Sequence, residues 1–315
     1  MESVESRTRV RIAASLAASI IGAVLVSASP VVHADELRAA RPTTEIIGGQ
    51  LTEPGEFDGV VALQAGTGLC SGTVVAPRLI LTAAHCLASL DPDTEVIVHY
   101  GDNINEGTIV ASNWGAHPQF CPDCKQDLFD YGFVEIDTDF VVPGGYTLPI
   151  ATQVEWDQAM NEGKEVTVVG YGEDPGSGDG VGAKRKVTTT ISKLSKAGLE
   201  FYAGGDLRDS CNGDSGGPAF VRVASGELRL AGITSRGSNP CGDGGYYGAP
   251  YPALCWVRNE TGVDFLGGAC ANCDCIDTDP PADDSDCAVD PHDDDEPWAL
   301  LALVVIPIVR RVRRR

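Results

Sequence analysis

The chain has 315 residues, 43% of them hydrophobic and 22% charged, enough apolar material for one large core or two small ones, which excludes a wholly disordered protein. Forty-five acidic residues against 23 lysines and arginines give a formal charge of −22. This is the reverse of the basic footprint that a phosphate backbone requires, so no nucleic-acid partner is expected.

In chain order, Arg7, Arg9 and Arg11 lead into an apolar stretch from Ile12 to about Ala28, followed by Val32-His33-Ala34. This fits an export signal over residues 1–34 with cleavage before Asp35; the stretch is shorter and poorer in leucine than a membrane anchor, the alternative reading. Eleven cysteines point to an oxidising compartment, and the odd number leaves at least one without an internal partner. Between about residues 46 and 268, short apolar runs alternate with Gly, Pro, Asn or Asp: Val60 to Leu63, Ser71 to Val75, Leu79 to Leu81, Glu95 to His99, Tyr131 to Ile136, Glu165 to Val169, Val187 to Ile191 and Leu228 to Ile233. Helical periodicity is scarcely visible, aromatic residues are only 6%, and 37 glycines and 19 prolines supply turns. The spacing predicts an all-β antiparallel sandwich or barrel. No internal repeat and no phosphate-cradling Gly-rich loop is present.

Three motifs fall in this region. The first is Thr82-Ala83-Ala84-His85-Cys86, sixteen residues beyond Cys70; the second is Asp130-Tyr131-Gly132-Phe133-Val134; the third runs from Asp209 to Pro218 as Asp-Ser-Cys-Asn-Gly-Asp-Ser-Gly-Gly-Pro. A serine hydroxyl is a poor nucleophile near neutral pH and needs a base within hydrogen-bond reach, and the base needs a buried acid to fix its tautomer. Ser215, His85 and Asp130 fit those roles. Glycines around Ser215 let the backbone turn sharply, so that the amides of Gly213 and Ser215 can converge on a developing oxyanion. Asp127 competes with Asp130, but only Asp130 heads a predicted strand. His33, His99, His117 and His292 lack a catalytic context and read as surface residues. Cys121-Pro122-Asp123-Cys124 has redox or zinc spacing, though a small structural disulfide fits its loop position better.

The order His, Asp, Ser with these flanking residues resembles the chymotrypsin-fold, trypsin-like serine peptidases over roughly 220 residues, from Ile46-Ile47-Gly48-Gly49 to the region of Trp256. The resemblance implies two six-stranded antiparallel barrels with the active site between them. It also implies a propeptide over residues 35–45, a new N-terminus at Ile46 that folds inward after cleavage, and Asp214 as the carboxylate pairing with its ammonium. Further implications are disulfides Cys70 with Cys86 and Cys211 with Cys241, and Asp209 at the base of the specificity pocket, favouring Arg or Lys at P1. Ser235, Gly237 and Gly248 match the substrate-binding strand and the open pocket walls. Two departures stand out. Glu45 precedes Ile46 where the family usually has Arg or Lys, so self-activation by an Arg-specific enzyme is not expected there. Arg236 stands where the family usually has an aromatic residue, and its charge would repel a basic substrate or pair with Asp209. Cys255, Cys270, Cys273 and Cys275 have no counterpart in simple trypsins, and their pairing is open.

Beyond the domain, residues 269–297 read as a Cys- and Asp-rich linker; 271–296 hold eleven acids and no lysine or arginine, too little apolar surface to offset the entropy of ordering. The last segment, 298–315, joins an apolar stretch from Trp298 to Val309 to Arg310, Arg311, Arg313, Arg314 and Arg315. Linker, short apolar segment and terminal arginines resemble the C-terminal surface-sorting tails of Gram-negative bacteria, particularly the myxococcal type, in which Cys287 would be the upstream cysteine. The expectation is therefore an exported, surface-directed serine endopeptidase acting on proteins or peptides, with no cofactor and no metal, an outside activating protease, and cell-surface or membrane attachment through the tail. A non-catalytic surface-binding protein on the same scaffold is the rival, and an esterase would share the mechanism.

Overall fold

The computed structural model describes residues 46, 48–172, 182–238, 241–270 and 275–278. The expected export signal, propeptide, acidic run beyond Thr278, Cys273, Cys287 and arginine-ended tail lie outside these residues.

Each apolar run singled out above falls on a strand. The first half of the domain is a seven-stranded antiparallel sheet built from β2 (Val60–Ala65), β3 (Gly68–Ala76), β4 (Leu79–Thr82), β5 (Val96–Tyr100), β6 (Gly107–Val110), β7 (Asn113–Ala116) and β8 (Gly132–Glu135), in the order β6-β5-β2-β3-β4-β8-β7. The second half closes into a barrel of six strands: β9 (Glu165–Gly170), β10 (Arg185–Leu194), β11 (Glu200–Ala203), β14 (Gly245–Gly248), β13 (Leu228–Gly237) and β12 (Pro218–Arg222), with β12 pairing back to β9. The two-residue β1 (Gln50–Leu51) adds to this barrel on β10. The predicted two-barrel architecture is present, with one barrel fully closed and the other a curled half-barrel. Closure satisfies the backbone groups that an open edge would leave unpaired.

Alternation explains the local structure. Along β10, Val187, Thr189 and Ile191 are buried while Thr188, Thr190 and Ser192 are exposed, the period of two expected of a half-buried strand. Val61, Leu63, Ile80 and Phe133 fill the first half, and Val166, Val168, Phe201 and Tyr247 fill the second. Tyr171, which follows β9, seals the seam: its hydroxyl shares its one proton between the carbonyls of Val60 at 2.9 Å and Gly101 at 2.6 Å.

Among the described residues two α-helices accompany the strands, one before β9 and one after β14. Thr152 caps α1 (Gln153–Ala159), its hydroxyl accepting from the Glu155 amide. α2 (Leu254–Thr261) ends at Gly262 with φ 76°, a left-handed C-terminal stop. The folded domain also continues past the expected limit at residue 268. Cys270 is disulfide-bonded to Cys275, Ile276 is buried in the second core, and the Ile276 amide donates to the Tyr251 hydroxyl at 2.8 Å. Thr278 also reaches the domain, its hydroxyl donating to the Ala197 carbonyl, so Cys270 and residues 275–278 pack against it although the sequence placed them in a linker.

Candidate active site

His85 sits in the single turn Ala84–Cys86 that ends β4, and the Cys70–Cys86 disulfide ties this turn to β3. Asp130 immediately precedes Tyr131 and β8 and is only 3% exposed. One Asp130 oxygen accepts from the His85 amide at 2.8 Å and the other lies 2.7 Å from His85 Nδ1. A carboxylate only accepts, so the proton rests on Nδ1 and the Nε2 lone pair is left free to act as a base. A third contact comes from the other barrel: Ser235 Oγ donates to Asp130 Oδ2 at 2.7 Å. The sheet register slips between Thr234 and Arg236, so Ser235 is the extra residue of a bulge on β13, a device that re-aims a side chain.

Ser215 occupies the turn before β12. Gly213 has φ 94° and Gly216 φ 79°, values that L side chains rarely adopt. A Cβ on Gly216 would also overlap the Thr82 hydroxyl and the Ser71 carbonyl. The turn is pinned on both sides, by the Ser71 amide donating to the Ser215 carbonyl at 2.7 Å, the Ser71 hydroxyl to the Gly213 carbonyl at 3.0 Å and the Gly216 amide to the Thr234 carbonyl at 2.8 Å. The Asp214 and Gly217 amides donate to Cys211 and Asp214 within the turn. The Gly213 and Ser215 amides meet no acceptor among the described residues. His85 and Ser215 line one cavity of about 560 Å³, together with Leu69, Leu90 and Thr94.

Asp214 is fully buried. Its oxygens accept from the amides of Gly172 and Cys211, both at 3.0 Å, and the Ile46 backbone nitrogen hydrogen bonds to it as well. Burial pushes its carboxyl up to about 6, against the pull of those three amides. The space for it is made by absent side chains, since a Cβ on Gly170 or Gly172 would strike the carboxylate. On Gly172 a Cβ would also lie 2.8 Å from the Asn212 carbonyl. Gly172→Ala is expected to cost about 1–3 kcal/mol of stability through this overlap, read as a lower urea midpoint.

Asp209 is fully buried too, accepting from the amides of Ser210 at 2.8 Å, Gly244 at 3.0 Å and Gly242 at 3.2 Å. Burial raises its carboxyl above the ordinary range despite these donors. Two glycines lie against it: a Cβ on Gly237 would come within 3.9 Å of its carboxylate and one on Gly245 within 3.3 Å. Gly248 lies against the Tyr131 ring and pairs with Glu200 and Ile233, whereas Gly245, three residues earlier on β14, is the one that faces Asp209.

Other expectations sort by contact. Asp127 faces away from His85, accepting from the Ser195 hydroxyl at 2.8 Å. Cys121 is joined to Cys124, and Cys211 to Cys241. His117 is a core residue rather than a surface one: it is 6% exposed, wedged against Phe129, Tyr131 and Trp256, and burial lowers its basicity. Arg236 neither points at nor pairs with Asp209. Its guanidinium meets Glu200 through two bonds, 3.0 and 2.9 Å, and lies 4.2 Å over the Tyr246 ring. Sequence reasoning passed over Glu200; an arginine in an aromatic position was the one signal that a buried acid must sit nearby.

Residues 46–253 match the family described as Trypsin. Similar proteins include coagulation factor IX of Oryctolagus cuniculus, 27% identical over 238 residues, covering 69% of this chain and 83% of that protein. Lectizyme of Glossina austeni is 25% identical over 234 residues, covering 64% and 79%, and the venom peptide isomerase heavy chain of Agelenopsis aperta is 29% identical over 228 residues, covering 62% and 90%. A solved structure of HL collagenase aligns with a TM-score of 0.57 at 22% identity over 70% of this chain and all of that one, a likeness of fold.

Proposed function

The chain belongs to the trypsin family, and from that premise we propose that it is a serine endopeptidase in which Ser215 is the nucleophile, His85 the general base and Asp130 the orienting acid. The observation that carries this reading is the Ser235–Asp130–His85 hydrogen-bond line ending on the cavity that Ser215 also lines. Ser215 Oγ attacks the peptide carbonyl carbon as His85 Nε2 takes its proton. The oxyanion is met by the Gly213 and Ser215 amides, and His85 then returns the proton to the leaving amine. Water repeats the sequence on the acyl-enzyme, releasing the acid and restoring the serine.

The buried carboxylate of Asp209, with Gly237 and Gly245 against it, supports a preference for Arg or Lys at P1, because a desolvated carboxylate gains most from a cationic side chain. The Glu200 contact removes the guanidinium of Arg236 as a competitor for that carboxylate. Cleavage before Ile46 would supply an ammonium to Asp214, and Glu45 calls for an activating protease of other than Arg specificity. Export by the N-terminal signal fits the disulfides, and surface attachment through the arginine-ended tail completes the reading.

The test uses the full chain cleaved before Ile46, with peptides ending in Arg, Lys or Phe at P1 and Ser215→Ala as control. Turnover by the cleaved chain alone is expected. Equal inactivity of both would support a binding protein on this scaffold. Asp209→Ser is expected to lower kcat/KM for the Arg peptide on the order of 10²–10³-fold while sparing the Phe peptide. A Phe preference in the unaltered chain would remove Asp209 from its role.

A further inference from the structure

The segment that delivers Asp130 is strained and is held from outside itself. Asp127 and Phe129 both have positive φ, 54° and 51°, in the five residues leading to Tyr131. Non-glycine residues in this region persist only where surrounding contacts over-determine them. Three of those contacts come from residues 195–200, the turn joining β10 to β11 and the first residue of β11. Ser195 Oγ donates to Asp127 Oδ1 at 2.8 Å, Tyr131 Oη donates to the Leu199 carbonyl at 3.0 Å, and Glu200 Oε1 accepts from the Leu128 amide at 3.0 Å.

Glu200 differs from the other two because it grips both flanks of the triad acid. It is 2% exposed and binds Leu128, two residues before Asp130, and also the guanidinium of Arg236, next to the Ser235 that donates to Asp130. Arg236 extends the clamp: its Nη2 donates to the Lys125 carbonyl at 3.1 Å and its Nη1 lies 3.4 Å from Ser235 Oγ. Asp130 and the Ser235 that donates to it therefore sit on two segments that one buried carboxylate joins. We infer that Glu200, with Arg236, is a positioning residue that fixes Asp130 and Ser235 relative to His85.

This inference rests on the proposed hydrolytic reading, and its test separates the two. The full chain cleaved before Ile46 is treated with a small dialkyl fluorophosphate, which reports activation of Ser215 without occupying an extended peptide site, and is assayed in parallel on an Arg-ended tripeptide amide. Glu200→Gln is expected to slow both phosphorylation of Ser215 and kcat at least about tenfold, with KM changed less than about threefold and the unfolding transition still cooperative. Glu200→Asp should recover part of the loss. The paired variant E200Q/R236M leaves no unpaired charge in the core, so it carries the test if the single variant does not fold; its rates should match those of Glu200→Gln within about twofold, since both substitutions break one clamp. An unaltered phosphorylation rate in either folded variant, or a loss confined to KM, overturns the positioning role. If the unaltered chain reacts no faster than Ser215→Ala, the hydrolytic reading itself fails and the inference with it.

Discussion

Asp130→Asn is expected to lower kcat about 10⁴-fold while leaving the fold and KM nearly unchanged. The reason lies in who donates at this position. Asp130 accepts three hydrogen bonds, from the His85 amide, from His85 Nδ1 and from the Ser235 hydroxyl, and donates none. An asparagine oxygen can keep the His85 amide, but its NH₂ must then face Nδ1, which has to accept. The imidazole proton moves to Nε2, and the nitrogen nearest the cavity can no longer take a proton from Ser215. The Ser235 hydroxyl can rotate to accept, so packing survives. Crystallography of the variant with unchanged side-chain positions, beside kcat measured at saturating peptide, checks this. A loss below about tenfold would mean that the Asp130–His85 contact does not set the tautomer during turnover.

The second large effect is on stability before cleavage. In the unbroken chain Asp214 is buried with only amide donors, and its carboxyl is pushed up to about 6 from an ordinary value of 3.8. The folded state thus holds a proton that the unfolded state releases. Stability is greatest below about pH 4, falls as pH rises through about 6, and beyond that carries a penalty on the order of 3 kcal/mol. Asp209, also raised by burial, acts in the same direction. Although burial raises Glu56 and Glu155, hydrogen bonds from Lys186 and Arg229 hold both below their ordinary range, so they act oppositely, losing stability as pH falls. Asp214→Asn isolates the wanted part. Urea unfolding of uncleaved Ser215→Ala chain from pH 4 to 8, with and without Asp214→Asn, should give curves that separate above about pH 5, the asparagine chain being the more stable. Cleavage before Ile46 should abolish that advantage, because the freed ammonium compensates the carboxylate. Parallel curves before cleavage would show that Asp214 is not a stored cost in the precursor, and a persistent asparagine advantage after cleavage would show that Ile46 does not reach it.

The Asp214 arrangement also bears on control. On the proposed reading, the turn that carries Gly213 and Ser215 is conditional on an ammonium arriving from residue 46, some 170 residues away in sequence. The glycines at 170 and 172 make the room that the Asp214 carboxylate occupies. The uncleaved chain therefore has a reason to favour an incomplete oxyanion turn at neutral pH, and acid would favour the ordered one.

Long apolar runs and the three motifs were readable without coordinates, because each depends on residues close together in sequence: alternation for β10, a histidine beside Ala-Ala and Cys, a serine among glycines. Strands such as β7, with Asn-Trp-Gly-Ala, and β14, with Gly-Tyr-Tyr-Gly, carry no such pattern. They are strands because β8 on one side, and β11 and β13 on the other, offer them backbone partners. That Gly245 rather than Gly248 faces Asp209 was not legible for the same reason: register in β14 is set by its neighbours. The amino-acid sequence alone determined which groups could pass a proton and roughly where the strands lie. The tertiary structure decided that Ser235 completes the acid's coordination across 105 residues through a bulge, and that Arg236 spends its charge on Glu200 rather than on Asp209. Pairings of that kind depend on which distant backbones pack side by side, and a buried charge goes to the partner that packing brings within hydrogen-bond reach.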